Sequence, residues 1–433
     1  MLVQGARRVG KSTLATEFAR NEYAAHLVID FSVAPNDVKA IFENYRHDLD
    51  AFFRYLFTYY GVVPVTRDTL IVFDEVQRFP IAREFVKHLV ADGRYDYLET
   101  GSLISIKQNV ADIVIPSEED SLELNPLDFE EFCWAMGDDP LPDFISETFA
   151  GKGTEPVPEA LHRRCSDRLR EYMLVGGMPQ AVVAFREQNS FAAADEAKRR
   201  IVKIHREDIA KFAGVNAAKV GAIYDALPGQ LSKHEKKFTL ASLGANARYR
   251  EYDAAFFWLS DARMTNMCRS VTDQSVGLGL TAEDSRFKCY LSDTGLLVTR
   301  AFENGTVPIE DVYRDVLFGK LQLNEGMLVE NLVAQQLVAN GRPLYFYSSY
   351  DSHDASNRME IDFLVVRPYD NAGLKARICP IEVKSTKGYR TKSLDKFKKK
   401  FGNRIGEQIV LHPGNVRIDG ERLYLPLYMA ICL

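Results

Sequence analysis

The sequence predicts an α/β protein: a parallel sheet around a phosphate-binding loop, then a helical and winged-helix region, then a second α/β domain. Three observations carry this. A strand stub at Leu2-Val3 leads through a glycine-rich loop into Leu14, Ala15, Phe18 and Ala19, which recur at helical spacing. Apolar stretches at 69–74 and 97–99 flank a helical one at 85–90, the alternation a parallel sheet with crossovers requires. Two further apolar strands, 360–365 and 380–384, follow a long middle segment of helical spacing. With 433 residues, 46% hydrophobic and 26% charged, the chain can bury several cores, which excludes disorder and low-complexity scaffolds.

The first element holds the phosphate loop. Gly5-Ala6-Arg7-Arg8-Val9-Gly10-Lys11-Ser12-Thr13 fits G-x-x-x-x-G-K-[ST], in which successive backbone N–H groups curl around phosphate oxygens at a helix N-terminus. Nucleotide-binding positions are therefore Gly5, Arg8, Val9, Gly10, Lys11, Ser12 and Thr13, with Lys11 on the β- and γ-phosphates and Ser12 on Mg2+. The next strand ends in Asp74-Glu75: Asp74 completes the magnesium shell and Glu75 polarises the attacking water. A Glu beside the Asp favours hydrolysis over nucleotide storage. Thr100, at the turn after the 97–99 strand, is placed to sense the γ-phosphate. ATP and Mg2+ are the expected cofactors, and the first domain is expected to span 1–135.

The middle is read as two pieces. Pro140, Pro142, Pro156 and Pro158, with Gly151 and Gly153, mark 137–158 as a linker or exposed insertion, so 136–215 is expected to be linker and helical lid, broken at Gly176-Gly177. Arg206 is either an arginine finger for a neighbouring nucleotide or one half of an ordinary salt bridge. Residues 216–302 read as helices at 220–227, 239–246 and 251–260, then strands at 267–271 and 287–291: a winged-helix order, with Arg248, Tyr249 and Arg250 leading the recognition helix. Such modules dock proteins as well as DNA.

The last domain, 303–433, opens with an amphipathic helix at 327–338 carrying Glu330. Alternate strand residues share a face, so adjacent strands in register bring Asp362 together with Glu382 and Lys384. Two carboxylates suit a hard cation, here Mg2+ on Asp362 and Glu382, and a nearby lysine can orient water for attack on a phosphodiester. The arrangement resembles the PD-(D/E)xK nuclease fold, with Glu330 as an accessory acid and Gln408 as an orienting group; the competing reading is a cross-strand ion pair. The basic run that follows, eleven Lys/Arg against two Asp/Glu over 375–404, includes Lys387, Arg390, Lys392, Lys396, Lys398, Lys399, Lys400 and Arg404 and suits backbone phosphates.

Taken together, GARRVGKST, LIVFDEVQ, ETGS, LELNPLDFEEF, EYMLVGGMPQAV, HREDIAKF, FKCYLSDTGLL, GMLVENLVAQQL, EIDFLVV and PIEVKS occur in an order that resembles the prokaryotic AAA-type ATP-binding proteins whose C-terminal half is a domain of unknown function. The resemblance implies a RecA-like ATPase core with its catalytic Glu on the strand carrying Asp74. Two departures stand out. Only Met1 to Gln4 precede Gly5, where the family has a helix and a full first strand, so adenine contacts from upstream are expected to be missing and a late start or trimmed chain is expected. Glu99 also stands where the family has an aliphatic residue, and must be partnered or partly solvated.

No apolar run approaches the ~20 residues that cross a bilayer, and Gln4, Arg7 and Arg8 stand where a secretory signal needs apolar residues, so no membrane partner and a cytoplasmic location are expected. Six cysteines, never closer than 21 positions, exclude zinc knuckles and a disulfide framework. The formal charge of −6 argues against bulk adsorption to nucleic acid, leaving local binding on the basic run. The reading is therefore an Mg-dependent ATPase coupled to a nuclease-like domain acting on nucleic acid, DNA rather than RNA, and compatible with a homo-oligomer. Its rivals are an ATP-driven switch that binds DNA or protein without cleaving, and a DNA-bound regulator with a slow ATPase.

Overall fold

The structure is a computed structural model; it describes residues 1–102, 120–151, 155–233, 235–244, 247–274, 277–303, 310–311, 313–314, 325–350, 358–368, 376–386 and 388–433. Contacts divide the chain into one compact unit of 1–125 with 261–263, and a second of 126–260 with 264–433. The first division thus falls ten residues before the expected 135.

The N-terminal unit contains β1 (Leu2–Gly5), α1 (Lys11–Glu22), β2 (Ala25–Asp30), α2 (Asn36–Tyr45), α3 (Leu49–Tyr60), β3 (Thr69–Asp74), α4 (Pro80–Asp92), β4 (Asp96–Gly101) and β5 (Ser121–Leu124). The strands form an all-parallel sheet in the order β2-β3-β4-β1-β5. Every residue of β3 is buried, because helices cover both faces of a parallel sheet. Leu70 and Val72 pack with Val3, Leu98 and the α1 residues Ala15 and Ala19. Their alternates Ile71 and Phe73 join Phe31, Phe42, Phe52, Phe79 and Phe85 on the other side. A buried side chain of this size contributes roughly 1.5–3 kcal/mol, so the two layers hold the sheet from both faces. Parallel strands bring the loops after β1, β3 and β4 to one edge, where α/β proteins bind ligands.

The C-terminal unit begins with α5 (Phe129–Ala135), α6 (Pro140–Ala150), α7 (Glu159–Val175), α8 (Pro179–Gln188), α9 (Phe191–Phe212) and α10 (Ala217–Leu231). The expected linker at 137–158 is largely α6, with Leu141, Pro142 and Ile145 buried; Gly153 lies outside the described residues. Its prolines mislead because Pro140 sits in the first turn, where a missing N–H costs nothing. The break at 176–177 is a packing requirement. Gly176 has φ 83, and a Cβ on Gly177 would lie 2.0 Å from the Leu127 carbonyl oxygen.

After α11 (Tyr249–Asp261) come β6 (Thr265–Val271), β7 (Ala282–Leu291), α12 (Thr294–Ala301), α13 (Glu325–Ala339), β8 (Tyr345–Ser349), β9 (Met359–Pro368), β10 (Ala376–Val383), α14 (Lys392–Phe401), β11 (Gln408–His412), β12 (Arg417–Asp419) and β13 (Arg422–Pro426). The expected helix at 239–246 is a 3-10 turn at Leu240–Ser242, with 245–246 outside the described residues.

The expected boundary at 302/303 does not separate two folds. β6 and β7 pair as a hairpin, but β6 also pairs in parallel with β8, giving one mixed sheet β12-β13-β11-β10-β9-β8-β6-β7. A hairpin with an apolar inner edge lowers its free energy by joining a sheet instead of standing alone as a wing. The helix expected at 327–338 is buried on every side from Met327 to Leu337, not amphipathic.

Candidate functional site

At the C-terminal edge of the N-terminal sheet, Gly5 closes β1 so tightly that a Cβ there would sit 2.3 Å from the Leu124 carbonyl oxygen. The loop then turns through Arg8 (φ 70) and Gly10 (φ 103), left-handed conformations that aim backbone N–H groups inward. Val9 is buried, Arg8 and Thr13 are exposed, and α1 starts at Lys11. The Lys11 ammonium donates to the carbonyls of Gly5 (3.2 Å) and Ala6 (3.0 Å), folded over the concavity where phosphates would be gripped.

The Ser12 hydroxyl donates to Asp74 Oδ1 at 2.8 Å, joining two oxygens brought together from 62 residues apart. Thr100 donates to the same oxygen and accepts from the Glu75 N–H at 3.2 Å. Thr100, expected to sense the γ-phosphate, is fully buried and hydrogen-bonded to both members of the acid pair. Glu75 has φ 54, a conformation rare for a residue with a Cβ, and its carboxylate accepts from Gln77 at 2.7 Å. Gln77 was not legible, since one amide after an acid pair has no pattern of its own. Ser12 and Asp74 present hard oxygens, a donor set that fits Mg2+, which keeps most of its shell for water and phosphate.

In the C-terminal unit β9 and β10 are antiparallel with Phe363 facing Ile381, so Asp362 and Glu382 meet at the next step. Asp362 Oδ2 accepts from the Val383 N–H at 2.9 Å, and Lys384 lies 2.5 Å from Glu382 Oε2. The structure thus brings the three residues together, and the Lys384–Glu382 pair runs along one segment, two residues apart, so it is not the cross-strand pair of the competing reading. Glu382 is 2% exposed and its Oε1 has no hydrogen-bond partner among the described residues. Burial, only partly offset by Lys384, pushes its pKa up to about 7. Burial and the neighbouring Glu330 likewise raise Asp362. A buried carboxylate oxygen without a partner is a hard donor open to a cation, so these two residues fit a single Mg2+. Among the described residues no cluster of three or more His, Cys, Asp or Glu suits a metal.

Asp362, Glu382 and Lys384 open onto a cleft of ≈ 710 Å³ walled by Arg286, Arg358 and Arg390. Lys398, Lys399 and Lys400 lie in α14, while Lys387 is outside the described residues. Glu330, expected as an accessory acid, accepts from Lys288 at 3.0 Å and pairs with Lys236 at 2.9 Å, so it anchors two lysines. Burial opposes its ionisation, yet the two lysines outweigh it and hold Glu330 down to about 2. Gln408 accepts from Arg422 at 3.2 Å. Lys288 was missed, although a lysine between Phe287 and Cys289 in a buried strand signals a paired charge. Arg206 forms ion pairs with Glu303 (2.5 Å) and Asp225 (3.2 Å), the salt-bridge alternative.

Strand, loop, helix and terminal acid pair define the N-terminal unit as a P-loop nucleotide-binding domain. Residues 1–133 match the family model of an AAA domain, which supports an AAA-type ATPase. Residues 166–304 and 325–429 match two domains of unknown function, DUF8612 and DUF4143. No curated protein matches the chain. Similar solved structures include the Aeropyrum pernix Orc1 protein in complex with DNA, at 12% identity over 70% of this chain and 86% of that one. Another is Cdc6p from Pyrobaculum aerophilum, at 11% identity over 74% and 88%. Both have a TM-score of 0.25, which does not establish a shared fold. Among the described residues no helix is long and apolar enough to cross a membrane.

Proposed function

We propose that the N-terminal unit binds and hydrolyses ATP with Mg2+, and that its nucleotide state governs a C-terminal unit acting on nucleic acid, in the first instance DNA. The observation that carries the ATPase reading is the 2.8 Å contact of Ser12 with Asp74, one residue before Glu75. Ser12 and Asp74 would hold Mg2+, which neutralises phosphate charge when bound. Lys11 exchanges its two loop carbonyls for phosphate oxygens. Glu75, held by Gln77, takes the proton of the attacking water. Phosphate release from ATP and Mg2+ tests this, and a full-length chain that releases none overturns it.

For the C-terminal unit the reading is phosphodiester binding in the Arg286–Arg358–Arg390 cleft, with cleavage where Asp362 and Glu382 hold a divalent ion and Lys384 holds the attacking water. The segment 216–302 is the proposed coupling region, since β7 reaches this site. A second reading, a switch that binds without cutting, is favoured by the ammonium groups that already face the two carboxylates, Lys288 at 3.6 Å from Asp362 and Lys384 at 2.5 Å from Glu382. Plasmid nicking in Mg2+ or Mn2+ decides: nicking lost in Asp362→Ala and Lys384→Ala supports cleavage. No nicking alongside normal ATP turnover supports the switch.

A further inference from the structure

Behind the cleft floor lies a charge that the phosphodiester reading leaves unused. The Lys288 side chain on β7 has no exposed surface, and its ammonium lies 3.0 Å from Glu330, 2.8 Å from Glu360 and 3.6 Å from Asp362. Burying an isolated ammonium costs several kcal/mol, so this one persists only because three carboxylates surround it.

Following each carboxylate oxygen limits what else can bind. Glu330 Oε1 accepts from Lys288 and from the Tyr290 hydroxyl, and its Oε2 pairs with Lys236. Glu360 Oε1 faces Lys288. Asp362 turns Oδ1 to Lys288 and Oδ2 to the Val383 N–H. Glu382 gives Oε2 to Lys384 and leaves Oε1 without a partner among the described residues. Two-metal phosphodiester sites hold their ions ~3.5–4 Å apart, flanking a shared carboxylate. Here the flank of Asp362 towards Glu382 carries only a neutral backbone N–H donor, whereas the other faces an ammonium.

We propose that Lys288 is a built-in second cation: the cleft takes one divalent ion, between Asp362 and Glu382, and Lys288 supplies the positive charge on the far side of Asp362. This rests on the metal-binding reading of the cleft. Lys288 is a positioning residue, and it comes from the 166–304 match, whereas both carboxylates come from the 325–429 match. The site is therefore composite, and neither matched segment contains all of it.

The test counts Mn2+ bound to the full-length chain without nucleotide, by electron paramagnetic resonance of the free ion. Cleft ions are those lost in Asp362→Asn, which removes the carboxylate shared by both positions. One cleft ion is expected in the wild type and in Lys288→Arg, rising to two in Lys288→Met, where three carboxylates lose their shared ammonium. Two cleft ions in the wild type, or one in a Lys288→Met chain whose near-ultraviolet circular dichroism is native, overturns the inference while the metal reading stands. Should Lys288→Met not fold, the wild-type count decides alone. No ion lost in Asp362→Asn overturns the metal reading itself, a separate failure.

Discussion

Arg83 on α4 and Glu99 on β4 form an ion pair of 2.5 Å in which the side chains are only 1% and 2% exposed. Glu99 sits mid-sheet, aligned with Phe73 on one neighbour and Leu2 on the other, where an aliphatic side chain would cost nothing to bury. Removing one partner of a buried pair strands the other charge, at roughly 3–5 kcal/mol, whereas replacing both with apolar groups is often neutral. Arg83→Met should therefore lower unfolding free energy by about 3 kcal/mol or more, and Arg83→Met with Glu99→Leu should recover most of it. Urea denaturation measures both. Equal losses in the single and double variants would mean that the pairing is not what tolerates Glu99.

The division of labour between Lys11 and Glu75 gives a second expectation. Lys11 faces the phosphate concavity, whereas Glu75 is held by Gln77 and by the N–H contact to Thr100. Lys11→Ala should abolish ATP binding. Glu75→Gln should keep binding and cut turnover by ~10²–10⁴, the usual worth of a general base. Calorimetry with ATP and Mg2+, beside phosphate release, separates the two; parallel loss of binding in Glu75→Gln would remove the base role.

How far these sites could be read in advance follows from how local they are. Gly5 to Thr13 is one contiguous loop, and Asp74-Glu75 ends one apolar strand, so both were legible. Asp362, Glu382 and Lys384 needed only the assumption that two strands pair. Lys288 lies 42 residues from Glu330 and has no meaning until β6 joins β8, a pairing seen at just Arg269 with Tyr345 and Ser270 with Phe346. Nothing in a short window signals so brief a parallel ladder. The prolines of α6 failed oppositely, because a residue that breaks a helix interior is welcome at its start.

Arg286 on β7, Arg358 just before β9 and Arg390 just before α14 wall the cleft from three separate segments. That spread suits successive backbone phosphates, so phosphate contact is their expected role. Each phosphate contact releases counterions, giving the logarithm of affinity a slope of about −0.9 per contact against the logarithm of salt. Arg390→Ala and Arg358→Ala should each weaken binding to unrelated DNA sequences alike and reduce that slope by about one. Fluorescence anisotropy across roughly 50–200 mM salt reads this; a salt-independent affinity would contradict phosphate contact in the cleft.

His412 makes the stability of the C-terminal unit depend on mild acid. Its ring on β11 is 7% exposed, packed against Tyr389 at 5.5 Å and Tyr424 at 5.9 Å. Nδ1 accepts from the Gly414 N–H at 3.2 Å, and Nε2 has no hydrogen-bond partner among the described residues, so the neutral ring fits and the cation does not. Burial first, then the charge of Arg417, lowers its pKa from 6.5 to about 4. Between those values the unfolded chain binds a proton that the folded chain refuses, so folding stability falls as pH drops from 6.5 towards 4. The full loss is on the order of 3 kcal/mol, since each tenfold change in proton affinity is worth about 1.36 kcal/mol. Ionised carboxylates such as Glu330 add loss in the same direction, so the prediction concerns a difference. His412→Phe keeps the aromatic packing without the titration, and its urea midpoint should fall less than that of the wild type between about pH 6.5 and 4.5. An unchanged pH difference would mean that the imidazole is no obstacle to protonation in the folded chain.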